Sequence, residues 1–247
     1  LGAGRADRAD DRRHGNPPDM SRHAPVATAP RARGGGHRRP EAAYRAGFSG
    51  VVRGRPIAET THSAAVRGGV TAVQLREKEC GTREFVELGR RLKKLLEPFA
   101  VPLIINDRVD VALAVGADGV HIGQSDMDFR DARRLLGPEA LIGLSIETME
   151  QAAEAEGLGA AYYGVSPVFS TPTKTDTAPE WGLDGLRRLR TVSRQVLVGI
   201  GGISAANAAE VIRAGADGVA VVSAICGAVD PEQAARELRR RVDAEST

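Results

Sequence analysis

The chain has 247 residues, 42% of them hydrophobic, with two cysteines and a formal net charge of +2. That is enough apolar material for one α/β barrel, or for a domain with an extension. Cys80 and Cys226 lack metal-ligand spacing and are too few for a disulfide framework, which points to a reducing, cytoplasmic setting, and no apolar run approaches the roughly 18 residues of a membrane helix.

The charge is unevenly spread. Residues 1–40 hold nine Arg and four Asp, a local charge of +5, and the remainder carries −3. Pro17-Pro18 and Gly34-Gly35-Gly36 mark irregular chain there. Acidic residues are mixed in, aromatic residues are not interleaved, and no signal-peptide apolar core is present. Residues 1–42 therefore read as a disordered basic extension, with neither nucleic acid nor membrane expected as a partner.

Residues 44–52 are the only candidate for a first strand, and Gly47 and Gly50 weaken it. The pattern changes at Pro56, where 56–67 reads as a helix with Pro in its first turn. Four segments then repeat a small-residue turn followed by an apolar strand: 68–75 (GGVTAVQL), 116–122 (GADGVHI), 159–165 (GAAYYGV) and 215–221 (GADGVAV). Their starts lie 48, 43 and 56 residues apart, the length of two βα units of roughly 25 residues each. Further strands fall between them at 101–105, 141–144 and 196–200. Helical patterns occupy 83–96, 109–115, 128–136, 148–158, 183–192, 205–214 and 231–242. Gly116, Gly159 and Gly215 stand where a helix ends in a left-handed residue. Counting the unit that includes 56–67, the alternation predicts an α/β fold of eight units, a (β/α)8 TIM barrel over 43–247 with an atypical first strand. A doubly wound open sheet is the alternative.

Parallel strands joined by helices bring their C-terminal ends to one edge, where sites are built. Asn106-Asp107 follow one strand and Gly123-Gln124-Ser125-Asp126 the next. Two carboxylates at matching positions suit Mg²⁺, which takes oxygen ligands and completes its shell with water and substrate phosphates. The competing reading is that Asp107 and Asp126 cap the helices that follow them. Along Gln74-Leu75-Arg76-Glu77-Lys78, strand alternation sends Gln74 and Arg76 to one face, Leu75 and Glu77 to the other. Facing the mouth, Arg76 and Lys78 would clamp phosphate; otherwise they form a solvated charge run. Ser145 ends the fifth strand and is expected to face the mouth. Ser170–Thr175 lies in a long loop, 166–182, where hydroxyls and Lys174 suit an anion. Gly201-Gly202-Ile203-Ser204 and Val221-Val222-Ser223-Ala224 follow the seventh and eighth strands, a frequent phosphate position in barrels. His121 lies on a strand among apolar neighbours and reads as structural. No Ser-His-Asp order and no paired cysteine nucleophile is visible.

Six motifs occur together: QLREK at 74–78, NDR at 106–108, HIGQSD at 121–126, IGLS at 142–145, TPTK at 171–174 and GGI at 201–203. Their order and spacing resemble the thiamine-phosphate synthase family, over roughly residues 55–240. The first-strand region, AYRAGFSGVVR at 43–53, departs from the family's YLVTD-like strand. The resemblance implies a barrel that joins hydroxymethylpyrimidine diphosphate to thiazole phosphate, giving thiamine phosphate and pyrophosphate. It implies Mg²⁺ at Asp107 and Asp126. It puts Gln74, Leu75, Arg76, Glu77, Lys78, Asn106, Ser145 and Lys174 at the pyrimidine diphosphate, with Arg76, Lys78, Ser145 and Lys174 catalytic. It puts Thr171, Pro172, Thr173, Gly202, Val222 and Ser223 at the thiazole phosphate. A related thiazole tautomerase would not need the diphosphate and metal set, and a non-catalytic barrel would bind precursors without turnover.

Overall fold

The computed structural model describes residues 51–53, 59–170 and 179–245, with backbone alone at 51–53, 59 and 60. The expected first strand begins outside them; its described part is β1, Val51–Arg53. The disordered extension expected over 1–42 also lies outside the described residues. Seven further strands follow: β2 (Val73–Arg76), β3 (Leu103–Asn106), β4 (Gly119–Ile122), β5 (Leu141–Ile146), β6 (Tyr162–Val165), β7 (Leu197–Ile200) and β8 (Gly218–Ala220). Each pairs with the next in parallel, so the sheet order is the chain order. The helices are α1 (Glu59–Arg67), α2 (Thr82–Leu96), α3 (Val109–Val115), α4 (Phe129–Leu136), α5 (Met149–Ala155), α6 (Gly182–Val192), α7 (Ala208–Arg213), α8 (Ser223–Cys226) and α9 (Pro231–Asp243).

Period-two alternation divides the core. One sheet face sends Val73, Leu75, Leu103, Ile105, Val120 and Ile122 into a cluster shared with the helices. Each such side chain contributes roughly 1.5–3 kcal/mol when fully buried. The opposite face carries a smaller apolar cluster, Ala72, Ile104, Tyr162, Val198 and Ala220. Two residues further along the same strands, this face turns polar at Gln74 and Asn106. The polar edge is the C-terminal one.

The repeated Gly-Ala-Asp-Gly turn has a local cause. Asp118 Oδ2 accepts from Leu103 N at 2.8 Å, while Asp118 N donates to Leu103 O at 3.0 Å. Asp217 does the same four strands on: its Oδ2 accepts from Leu197 N at 2.9 Å and its N donates to Leu197 O at 2.8 Å. Each Asp thus ties the start of its strand to the start of the one before. Gly116 and Gly215 adopt positive φ (66° and 111°) just after α3 and α7, as expected. At α5 the expectation is corrected: the helix stops at Ala155, and Gly157 rather than Gly159 follows its cap. The seventh helix also starts later than the predicted 205. Ser204 N donates to Asn207 Oδ1 (2.8 Å) and Asn207 Nδ2 to Gly202 O (2.9 Å), which closes a turn before Ala208.

The last helix packs on the first. Arg67 Nε donates to Glu232 Oε2 at 2.9 Å. Gly68 sits so close to α9 that a Cβ would lie 2.4 Å from Glu232 O and 2.6 Å from Ala235 Cβ. Among the described residues, no helix is long and apolar enough to cross a membrane.

Candidate active site at the strand ends

A cavity of about 700 Å³ opens at the C-terminal edge of the sheet. Gln74, Arg76 and Lys78 reach it from β2, Asn106 and Asp107 from β3, and His121 with Gly123 to Asp126 from β4. Ser145, Gly202, Val222 and Ser223 complete the predicted part of its wall. Leu75 and Glu77 do not line it, as alternation dictates. Leu75 packs under the helices, and Glu77 Oε1 accepts from Lys78 N (2.8 Å) and Glu79 N (3.0 Å), holding the turn after β2. These two stand behind the cavity wall rather than on it. Thr171, Pro172, Thr173 and Lys174 lie outside the described residues.

The capping reading of the two carboxylates does not hold. Arg108 stands at the N-cap of α3, without a side-chain cap bond, and Asp128 caps α4 by accepting from Arg130 N at 2.8 Å. Asp107 and Asp126 are thereby left to the cavity. Asp107 sits at φ 63°, and Arg108 N donates across it to Asn106 O at 2.7 Å. A non-glycine residue at the centre of such a three-residue turn is strained. Asp107 N is anchored on His121 O at 2.7 Å, and Lys78 Nζ lies 3.1 Å from Asp107 Oδ2. Asp126 Oδ2 accepts from Gly123 N at 2.7 Å. Burial pushes the Asp126 carboxyl above its ordinary value, and the Asp107 charge adds to the rise; the Gly123 N–H opposes it. Two like charges meet here.

Among the described residues, no group of three or more His, Cys, Asp or Glu gathers that could hold a metal. Two carboxylates suit Mg²⁺, since that ion draws its remaining ligands from water and substrate phosphate.

Sequence reasoning missed several wall residues. His121 is 5% exposed and faces the cavity rather than the helices. Its Nε2 lies 2.9 Å from Ser145 Oγ and its Nδ1 3.0 Å from Tyr162 OH. A signal existed: its strand partner in β5 is Gly143, which leaves room for a ring. Gln124 Nε2 donates to Ser145 O at 2.6 Å. Glu147 and Ser166 also line the wall.

A family model described as thiamine monophosphate synthase matches residues 51–225. The chain belongs to the thiamine monophosphate synthase family. Among curated members of that family, the thiamine-phosphate synthase of Albidiferax ferrireducens is 58% identical over 191 residues, 77% of this chain and 87% of that protein. The thiamine-phosphate synthase of Syntrophomonas wolfei is 53% identical over 190 residues, 77% of this chain and 90% of that protein. The solved thiamine phosphate pyrophosphorylase from Pyrococcus furiosus superimposes with a TM-score of 0.74 at 38% identity, covering 83% of this chain and 98% of that one. The matched span begins at Val51, the first residue of β1, so it takes in only the end of the first-strand region at 43–53.

Proposed function

We propose that the chain condenses hydroxymethylpyrimidine diphosphate with thiazole phosphate, releasing pyrophosphate and forming thiamine phosphate. One observation carries the reading: a single cavity brings Arg76, Lys78, Asp107 and Asp126 together with Gly202, Val222 and Ser223. The curated relatives' names agree with it. A tautomerase acting on the thiazole half would have no use for the first set.

In this reading the bond between the pyrimidine methylene carbon and the diphosphate oxygen breaks, and its electron pair leaves with pyrophosphate. The electron-rich aminopyrimidine carries the resulting positive charge until the thiazole nitrogen lone pair forms the new C–N bond. Arg76, Lys78 and Lys174 bind the diphosphate and offset its growing charge. Asp107 and Asp126 hold Mg²⁺, which supplies further charge neutralisation on the leaving group. Gln74 and Asn106, buried amides at 4% and 8% exposure, read the pyrimidine edge. Ser145 donates a hydrogen bond from the cavity wall. Gly202, Val222 and Ser223, with Thr171, Pro172 and Thr173, hold the thiazole phosphate. The chain's task is orientation and exclusion of water, and no protein nucleophile is required.

We further propose that the strands close into a full (β/α)8 barrel, with β8 returning to β1. The contact of α9 with α1 supports it, because that contact joins the two ends of the helix layer.

The test is pyrophosphate release from the full chain given both substrates, with Mg²⁺ and with EDTA. Release that requires both substrates and the metal is expected. Release from the pyrimidine diphosphate alone, or none from folded protein, would overturn the reading.

A further inference from the structure

His121, Tyr162 and Ser145 form a chain of contacts that the proposed chemistry does not itself require. Tyr162 is fully buried, and its hydroxyl meets His121 Nδ1 at 3.0 Å. The two rings stack, with centroids 5.5 Å apart and planes inclined by 26°. His121 Nε2 in turn meets Ser145 Oγ at 2.9 Å. Two glycines clear the space. A Cβ at Gly143 would lie 2.2 Å from Tyr162 Cζ and 2.6 Å from His121 Nδ1, and one at Gly164 would lie 2.7 Å from His121 Cε1. Gly143 is the strand partner of His121 and also of Tyr162, and Gly164 is the partner of Ser145. The imidazole is therefore held in one orientation, while Gln124 holds the Ser145 carbonyl at 2.6 Å.

The direction of these hydrogen bonds follows from chemistry. A phenol is a better donor than a neutral imidazole N–H, which favours Tyr162 O–H as the donor and Nδ1 as the acceptor across their 3.0 Å contact. A neutral imidazole carries one proton, which then sits on Nε2 and donates to Ser145 Oγ. A hydroxyl that accepts from Nε2–H keeps its own proton for a third partner. We propose that Tyr162 and His121 are positioning residues that fix the Ser145 hydroxyl as a donor aimed into the cavity, towards an anionic oxygen or ring nitrogen of the substrate. The kinetic consequence rests on the synthase reading; the proton placement does not.

Nitrogen-15 NMR of the full chain with labelled histidine, at about pH 8 where free imidazole is neutral, tests the proposal directly. The chain has five histidines, and comparison with His121→Gln identifies the resonances. The expected spectrum has His121 Nε2 protonated and Nδ1 unprotonated, passing to a mixture of tautomers in Tyr162→Phe. A wild-type ring protonated on Nδ1, or one unaffected by Tyr162→Phe, overturns it. Kinetics supply the second arm. Tyr162→Phe should lower kcat about tenfold, the loss of one well-aimed hydrogen bond, with KM for thiazole phosphate changed by less than about twofold. In a Ser145→Ala background the same substitution should cost nothing further. An equal loss in both backgrounds would mean that the phenol only supports the fold. Wild-type protein that releases no pyrophosphate would defeat the synthase reading, and the NMR outcome would still decide the proton placement.

Discussion

Asp107 and Asp126 each carry a stored cost in the site. Asp107 has a strained backbone, of order 1–3 kcal/mol, and Asp126 has a carboxyl raised above its ordinary value by burial and by Asp107. The sign of the second cost can be worked out. A folded-state value above the unfolded one means that the folded protein binds its proton more tightly. That contribution to stability is present below the unfolded value and is lost as pH rises through the folded one. At neutral pH without metal, ionised Asp126 therefore burdens the fold. Asp126→Asn keeps an oxygen for the Gly123 N–H and removes the charge. In EDTA near neutral pH its melting temperature should exceed that of the wild type, while Mg²⁺ should raise only the wild type. Pyrophosphate release should fall by about a hundredfold or more, as for a lost electrostatic stabiliser. A variant that melts lower than wild type in EDTA would count against this account of the carboxylate pair.

Individual elements differ in how much change they tolerate, and the glycines make this measurable. Gly119 opens β4 opposite Leu141, and a Cβ there would lie 1.9 Å from the Leu141 carbonyl oxygen. That atom is backbone, so the pairing of β4 with β5 must give way. Gly119→Ala should cost about 3 kcal/mol or more in urea unfolding. Gly81, at the N-cap of α2, has nothing within 4 Å and Glu84 three positions on. Gly81→Ser would complete a capping box and add a few tenths of a kcal/mol. Equal effects at the two sites would show that strand contact is not what makes Gly119 a glycine. The order of strands and helices was legible because each element carries its own periodicity and ends on its own turn residues. The onset of α7 was not. It depends on Asn207, whose side chain bonds back to Ser204 and Gly202, and no periodicity reports such a turn.

For the molecule as a whole, the decisive joint is where α9 meets α1. Gly68 allows the approach, with Glu232 O and Ala235 Cβ filling the place of its missing side chain. Gly68→Ala would push the two ends of the helix layer apart at backbone contacts, a change of about 2–3 kcal/mol. The loss should appear as one cooperative transition shifted to lower urea. Pyrophosphate release should fall only to the extent that folded protein is lost. Wild-type stability in this variant would argue that the helix layer has no tight joint there.

The sequence by itself determined the strand–helix alternation, the edge at which the site lies, and part of its wall, including Gln74, Arg76, Asp107, Asp126, Gly202 and Ser223. These follow from local rules: a period of two in strands, a period near 3.6 in helices, and polar residues at strand ends. Tertiary structure alone decided three matters. It assigned capping to Asp128 and left Asp126 to the cavity. It chose which face of β2 meets the cavity, placing Gln74 and Arg76 there and Leu75 under the helices. It also turned His121 towards Ser145 instead of towards the helices. Alternation says that two faces differ but not which one meets ligand, and that choice is made only when Gly143, Gly164 and Tyr162 arrive from neighbouring strands to shape the space around the ring.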